Sequence, residues 1–224
     1  MPALPRHPLV LTVAFLATMS GSGACSGLQQ AHAAGDTHGD LVSEVAASLA
    51  APNPAYTATY RLAGGDTARV TTGTAPDRTA YEYPGGRLIR TPSAVTRCAR
   101  DVCTATDPDS AESLPPGAGL ITDAQVVALL EAAAIDPDPE VTQRDTTLAG
   151  RHATCLTLTG VEGAEANAFD VCVTVGGVLA AFQGTIGGAQ VDTVLAEFAE
   201  QADAGDFLVP AGAKLIDRRT GQGN

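Results

Sequence analysis

Hydrophobic and polar residues alternate with a period of two along most of this chain, and the few places where the period lengthens mark its helices. In YTATYRL, Tyr56, Ala58, Tyr60 and Leu62 share one face while Thr57, Thr59 and Arg61 take the other, the pattern of a half-buried strand. Gly64-Gly65-Asp66 and Pro76-Asp77 are turns that bound a second strand at 68–73. Thr79, Tyr81 and Tyr83 alternate with Ala80 and Glu82 in a third strand. Short strands follow at 87–91, 94–99 and 102–106, so this region reads as an up-and-down meander. A strand at 141–147 leads into the most regular stretch, residues 150–186. There 151–159 and 168–175 alternate across a polar bend at 160–167, and Gly176-Gly177 opens another strand at 178–186.

Helical spacing occurs twice. Leu41, Val42, Val45, Ala46 and Leu49 recur along one face after Asp40, a candidate N-cap, and Pro52 and Pro54 stop that helix. Thr122 followed by Gln125 makes a capping box, after a Pro/Ser/Asp-rich connection at 107–119. Val126, Leu129, Leu130 and Ala133 then continue at helical spacing as far as Asp136-Pro-Asp-Pro-Glu140. That acidic run holds two prolines and no ordered ligand spacing, so it reads as a solvated turn rather than a calcium loop. Residues 191–202 carry two readings. Asp192 could cap a helix striped by Val194, Leu195 and Phe198, or Gly187-Gly188 could turn the chain into one more strand. FLVPAGA at 207–213 closes the domain, and 218–224 form a polar, frayed tail.

Residues 1–24 have the build of a signal peptide, with Arg6 ahead of an apolar run, Leu9–Thr18, that is too short to span a bilayer. Met19–Cys25 resembles a bacterial lipobox, with Ala24 in place and Ser22 where a leucine is usual. On this reading Cys25 is acylated, anchors the chain to the membrane, and residues 25–39 form a small, polar tether. Cleavage after Ala31-His32-Ala33, giving a soluble secreted protein, is the alternative. The net charge of −12 disfavours nucleic acid as a partner and also electrostatic attraction to anionic headgroups. It leaves open a lipid held in an apolar cavity.

Giving Cys25 to lipid leaves four of the five cysteines for two bridges in an oxidising compartment. Centring the 160–167 bend on Gly163 and Ala164 sets Cys155 opposite Cys172, while Cys98 and Cys103 bracket a short hairpin loop. Nothing here has the paired spacing of a zinc site, so no metal or cofactor is expected. Nucleophile elbow, phosphate loop and zinc-protease motifs are missing, and His152 beside Arg151 reads as a strand-surface residue. The chain is therefore expected to be non-catalytic.

The order of these pieces carries a resemblance. An N-terminal helix, YTATYRL, a proline-rich connection, an amphipathic helix, TLAGRHATCLTL, FDVCVTVGGVLAAFQGTI and FLVPAGA resemble, over residues 40–217, bacterial lipoproteins of the LolA-like half-barrel superfamily. That superfamily includes the periplasmic lipoprotein carrier, the LppX/LprG glycolipid-binding lipoproteins and the RseB-type stress sensors. The two cysteine pairs depart from the carrier pattern.

The resemblance implies an α+β fold in which a strongly curved antiparallel sheet wraps around a few helices and leaves an apolar cavity for acyl chains. Candidate lining residues are Tyr56, Tyr60, Leu62, Val70, Tyr81, Tyr83, Leu156, Leu158, Val171, Val173, Val178 and Phe182 from strands, with Val126, Leu129 and Leu130 from the second helix. The same residues could equally pack into a closed core. Two functions follow as expectations: a membrane-anchored envelope lipoprotein that carries a lipid or acyl chain, or an RseB-like sensor or interaction module with a filled core and an envelope protein as partner.

Overall fold

The computed structural model describes residues 26–75, 77–110 and 113–220. It opens with helix α1 (Ser26–Ala50), followed by a six-stranded meander: β1 (Tyr56–Leu62), β2 (Thr67–Thr74), β3 (Asp77–Tyr83), β4 (Gly86–Thr91), β5 (Ala94–Ala99) and β6 (Val102–Thr106). Helix α2 (Asp123–Ile135) separates these from β7 (Glu140–Leu148), β8 (Arg151–Thr159), β9 (Ala168–Thr174), β10 (Leu179–Ile186) and β11 (Ala189–Ala199). A last strand, β12 (Lys214–Asp217), returns to the start of the sheet.

All twelve strands belong to one sheet, ordered β12-β6-β5-β4-β3-β2-β1-β11-β10-β9-β8-β7. The two meanders are thus joined through β1 and β11, the strands at the ends of their chain segments. The sheet is curved and does not close, an α+β half-barrel. Its curl is evident at the β8–β11 end. Arg151, at the start of β8, lays its guanidinium 3.8 Å from the centre of the Phe198 ring in β11 and pairs with Glu200 beyond it, although β9 and β10 lie between those strands.

The local signals explain most elements. Thr122 Oγ1 accepts the Gln125 amide at 3.2 Å and Gln125 Oε1 accepts the Thr122 amide at 3.2 Å, so the first turn of α2 is capped from both sides. Cys155 faces Cys172 in the β8–β9 register, and Cys98 faces Cys103 across the β5–β6 hairpin; both pairs are disulfides.

Three expectations change, and one of the two readings left open at 191–202 is found. Residues 26–39 are the first turns of α1 rather than a tether, and Asp40 lies inside the helix instead of capping it. The Leu, Gln and Ala residues of this segment are good helix formers that join directly onto the amphipathic stripe. Residues 189–199 are a strand: Gly187 and Gly188 take positive φ (55° and 81°), which turns β11 back onto β10, and β1 pairs along its other side. Ladder bonds on both edges outweigh the helical stripe. The sheet also departs from pure antiparallel pairing, because β12 runs parallel to β6. Finally, residues 218–220 are held rather than frayed, since Arg218 donates its amide to Ala105 and Thr220 donates to Asp107. Cys25, the remainder of the proposed leader and residues 221–224 lie outside the described residues.

The concave face is filled by two different covers. Over β8–β11 lie the helices: Val42, Val45 and Leu49 of α1 and Val126, Leu129 and Leu130 of α2 pack on Leu156, Leu158, Val171 and Phe182. Over β1–β5 lies the connection before α2, whose Leu114, Ala118 and Leu120 pack on Tyr56, Tyr60, Val70, Tyr81 and Leu88. On the opposite face Phe207 covers Ala80 and Ile89, with the Arg78 guanidinium 4.2 Å from its ring centre.

The helical cover is fastened at two points. At Gly39 a side chain would meet the Ala134 carbonyl at 3.1 Å, so glycine lets α1 and α2 cross closely. At the far end of α1 the β9–β10 turn presses against the helix: Asn53 donates to the Gly177 carbonyl at 2.9 Å, and a Cβ at Gly177 would stand 2.3 Å from the Ser48 carbonyl oxygen.

Candidate interaction surfaces

The fifteen residues read from the sequence as an acyl-chain lining divide between the two covers. Val126, Leu129, Leu130, Leu156, Leu158, Val171, Val173 and Phe182 lie beneath the helices, and Tyr56, Tyr60, Leu62, Val70, Tyr81, Tyr83 and Val178 beneath the connection. All are 0–9 % exposed. They point inward and pack against the helices and the connection. Packing is tightest under the helices, at 4 % exposure or less; Leu62, Val70, Tyr81 and Tyr83 retain 7–9 %.

Polar groups within this second half are few. Tyr60 donates its hydroxyl to the Leu179 carbonyl at 2.8 Å, tying β1 to the start of β10. Asp123, in the first turn of α2, faces the same group of tyrosines. Burial pushes its carboxyl up to about 6, and burial with the neighbouring Asp123 charge raises the phenols of Tyr56, Tyr60 and Tyr81 above the usual tyrosine range. These phenols stay neutral, and no nucleophile or second base accompanies Asp123 in the described contacts. His152 is exposed on β8, with its carbonyl accepting the Val175 amide.

Outside the core, Val102, Val175, Leu208 and Leu215 expose apolar side chains at other points of the surface, and further apolar surface lies on the far side of the helices. A groove of about 620 Å³ runs between α1 and α2, lined by Ser43, Ala46, Ala47, Ala50, Ala128, Glu131, Ala132, Ala134 and Ile135. Ile135 stands at its end with 86 % of its surface in water. The reason lies in α2, DAQVVALLEAAAI. Val126, Leu129, Leu130 and Ala133 face the sheet, yet the outward positions are alanine and isoleucine with Glu131 as their one charge. A helix that is apolar all round needs covering on both sides. Periodicity singled out the inward stripe of this helix and passed over the outward one, whose signal was the scarcity of charge.

A second open feature is the edge strand β7, nine residues long and, among the described residues, paired only with β8. Glu140, Gln143, Arg144 and Asp145 keep it polar and exposed, as edge strands that resist further pairing usually are. The groove is therefore the better candidate for a contact surface.

No protein-family model matches the chain, and no curated protein does. Among solved structures, an uncharacterized conserved protein from Thermus thermophilus is similar at 12 % identity and a TM-score of 0.48, over 81 % of this chain and 99 % of that one. MucB is similar at 12 % identity and a TM-score of 0.48, over 80 % of this chain and 66 % of that one. MucB in complex with MucA(peri) gives 12 % and 0.44, over 80 % of this chain and 61 % of that one.

Proposed function

We propose that this chain is an exported, non-catalytic protein-interaction module that works through its helical outer face. One observation carries this reading: the concave side is filled by its own helices and connection, while among the described residues an apolar groove remains uncovered on the opposite side of those helices. Export is supported by the two disulfides, which persist in an oxidising compartment and not in a reducing one. Acylation of Cys25 would place the module on the outer face of the cell membrane. Changing Cys25 to Ser tests that anchor: the protein should leave the membrane fraction and stay folded.

Lipid carriage is the second reading, and it has a specific requirement. The 107–121 connection would have to lift from the tyrosine-lined half, where residual exposure is greatest, before an acyl chain could enter. The two readings separate on what the purified chain holds. A module with a filled interior leaves its source without lipid and is retained by an immobilised envelope partner, whereas a carrier brings an extractable lipid with it.

A further inference from the structure

Two shallow depressions meet at Ile135. One is the α1–α2 groove; the other, of about 530 Å³, runs on past Ala132 and Ile135 to Asp136, Asp138, Gly160 and Glu162. Together they form an apolar floor of alanine and isoleucine with an acidic border, and no Lys or Arg lines either one. The charge bias extends beyond the border. Residues 26–55 contain Asp36, Asp40 and Glu44, and residues 124–140 contain Glu131, Asp136, Asp138 and Glu140, with no Lys or Arg in either segment. One of these acids is also fixed in place: the Asp136 carboxylate accepts the amides of Glu162 at 2.7 Å and Asp138 at 3.1 Å, which holds it below the usual carboxylate range.

We infer that this surface docks a basic amphipathic helix of a partner protein, its apolar side on the alanine floor and its Lys or Arg side chains on the acidic border. The inference rests on the interaction-module reading and names the chemistry of that partner. The geometry suits a helix: small residues of α1 and α2 flank a trough in which side chains at i, i+3, i+4 and i+7 of a third helix can seat. The charge decides among occupants. A second copy would bring an equally acidic face against this one, and an anionic membrane or nucleic acid would be repelled in the same way.

The probe is a fluorescein-labelled 18-residue helical peptide with leucines on one face and lysines elsewhere, compared with the same peptide carrying glutamates. Fluorescence anisotropy with the folded chain should detect the lysine peptide, with the glutamate peptide bound at least tenfold more weakly. Binding should fall as ionic strength rises from about 0.01 M to about 0.15 M, which shortens the Debye length from about 30 Å to about 8 Å. Ala128→Lys and Glu131→Lys alter exposed positions on α2 and leave the buried face intact. Each should weaken the lysine peptide tenfold or more while circular dichroism and the melting temperature stay at the wild-type values. Three results would overturn the inference. Equal binding of both peptides removes the charge argument. Binding of the lysine peptide undiminished by either substitution moves the contact elsewhere and leaves the module reading standing. A dimer in light scattering that Ala128→Lys dissolves makes the occupant a second copy.

Discussion

Substituting Gly177 by alanine isolates the contact that fastens the helical cover to the sheet. Gly177 sits at φ +73°, and its added Cβ would lie 2.3 Å from the carbonyl oxygen of Ser48 in α1. The left-handed backbone alone costs alanine about 1 to 2 kcal/mol. The close approach cannot be relieved by rotating a side chain, because the opposing atom belongs to helix backbone. The β9–β10 turn must draw away from α1, which loosens the Asn53 hydrogen bond to Gly177, worth about 1 kcal/mol. Together these give a loss of about 3 kcal/mol, and for a domain of this size each kcal/mol lowers Tm by about 2 to 4 °C. Gly188→Ala is the matched control. It has φ +81° with nothing within 4 Å of its Cβ, so it bears only the backbone cost. The gain from a less flexible unfolded chain is common to both variants and cancels in the comparison. Thermal and urea unfolding followed by circular dichroism should place Gly177→Ala at least about 2 °C below Gly188→Ala, a margin of about 1 to 2 kcal/mol. Equal losses would refute the argument that the turn is packed against the helix.

Asp123→Asn tests the buried carboxyl at the start of α2. Its folded-state value, about 6, lies above that of the unfolded chain, so between about pH 4 and pH 6 the folded protein holds a proton that the unfolded chain has released. The wild type should therefore lose stability relative to the asparagine variant as pH rises through that window, by up to about 3 kcal/mol at pH 7; a difference independent of pH would contradict the burial of this group. Replacing Cys155 and Cys172 together by alanine should cost about 3 kcal/mol in urea unfolding, and replacing Cys98 and Cys103 about 2, because the first pair closes the longer loop. The reverse order would show that loop closure does not govern their contributions.

The strands were legible because one face of each is apolar and the other polar. Tyr56 to Leu62, Thr79 to Tyr83 and Arg151 to Thr159 announce both their extent and their inward residues. The turn at 160–167 also determined which residues of β8 and β9 stand opposite each other. The features left open or missed depend on partners distant in sequence. Ala189 to Ala199 carries a helical stripe, yet becomes a strand because β10 and β1 offer ladder partners on both sides. β12 is four residues long and reaches β6 across more than a hundred residues, and no periodic signal announces a parallel pairing of that kind. For the candidate surface, the apolar lining was correctly read as inward-facing. The small residues on the outer face of α2 went unread, since alanine at an exposed helical position looks like helix propensity until the structure shows two such rows flanking one groove.

The filled interior is the claim on which the functional reading depends, and native mass spectrometry tests it most directly. Residues 26–224, produced through an oxidising export route, are weighed before and after organic extraction. The account predicts a single mass, four hydrogens lighter than the reduced chain and unchanged by extraction. A heavier species of lipid mass that extraction removes would contradict it, and would place an acyl chain where the tyrosine-lined half of the core now packs against the 107–121 connection.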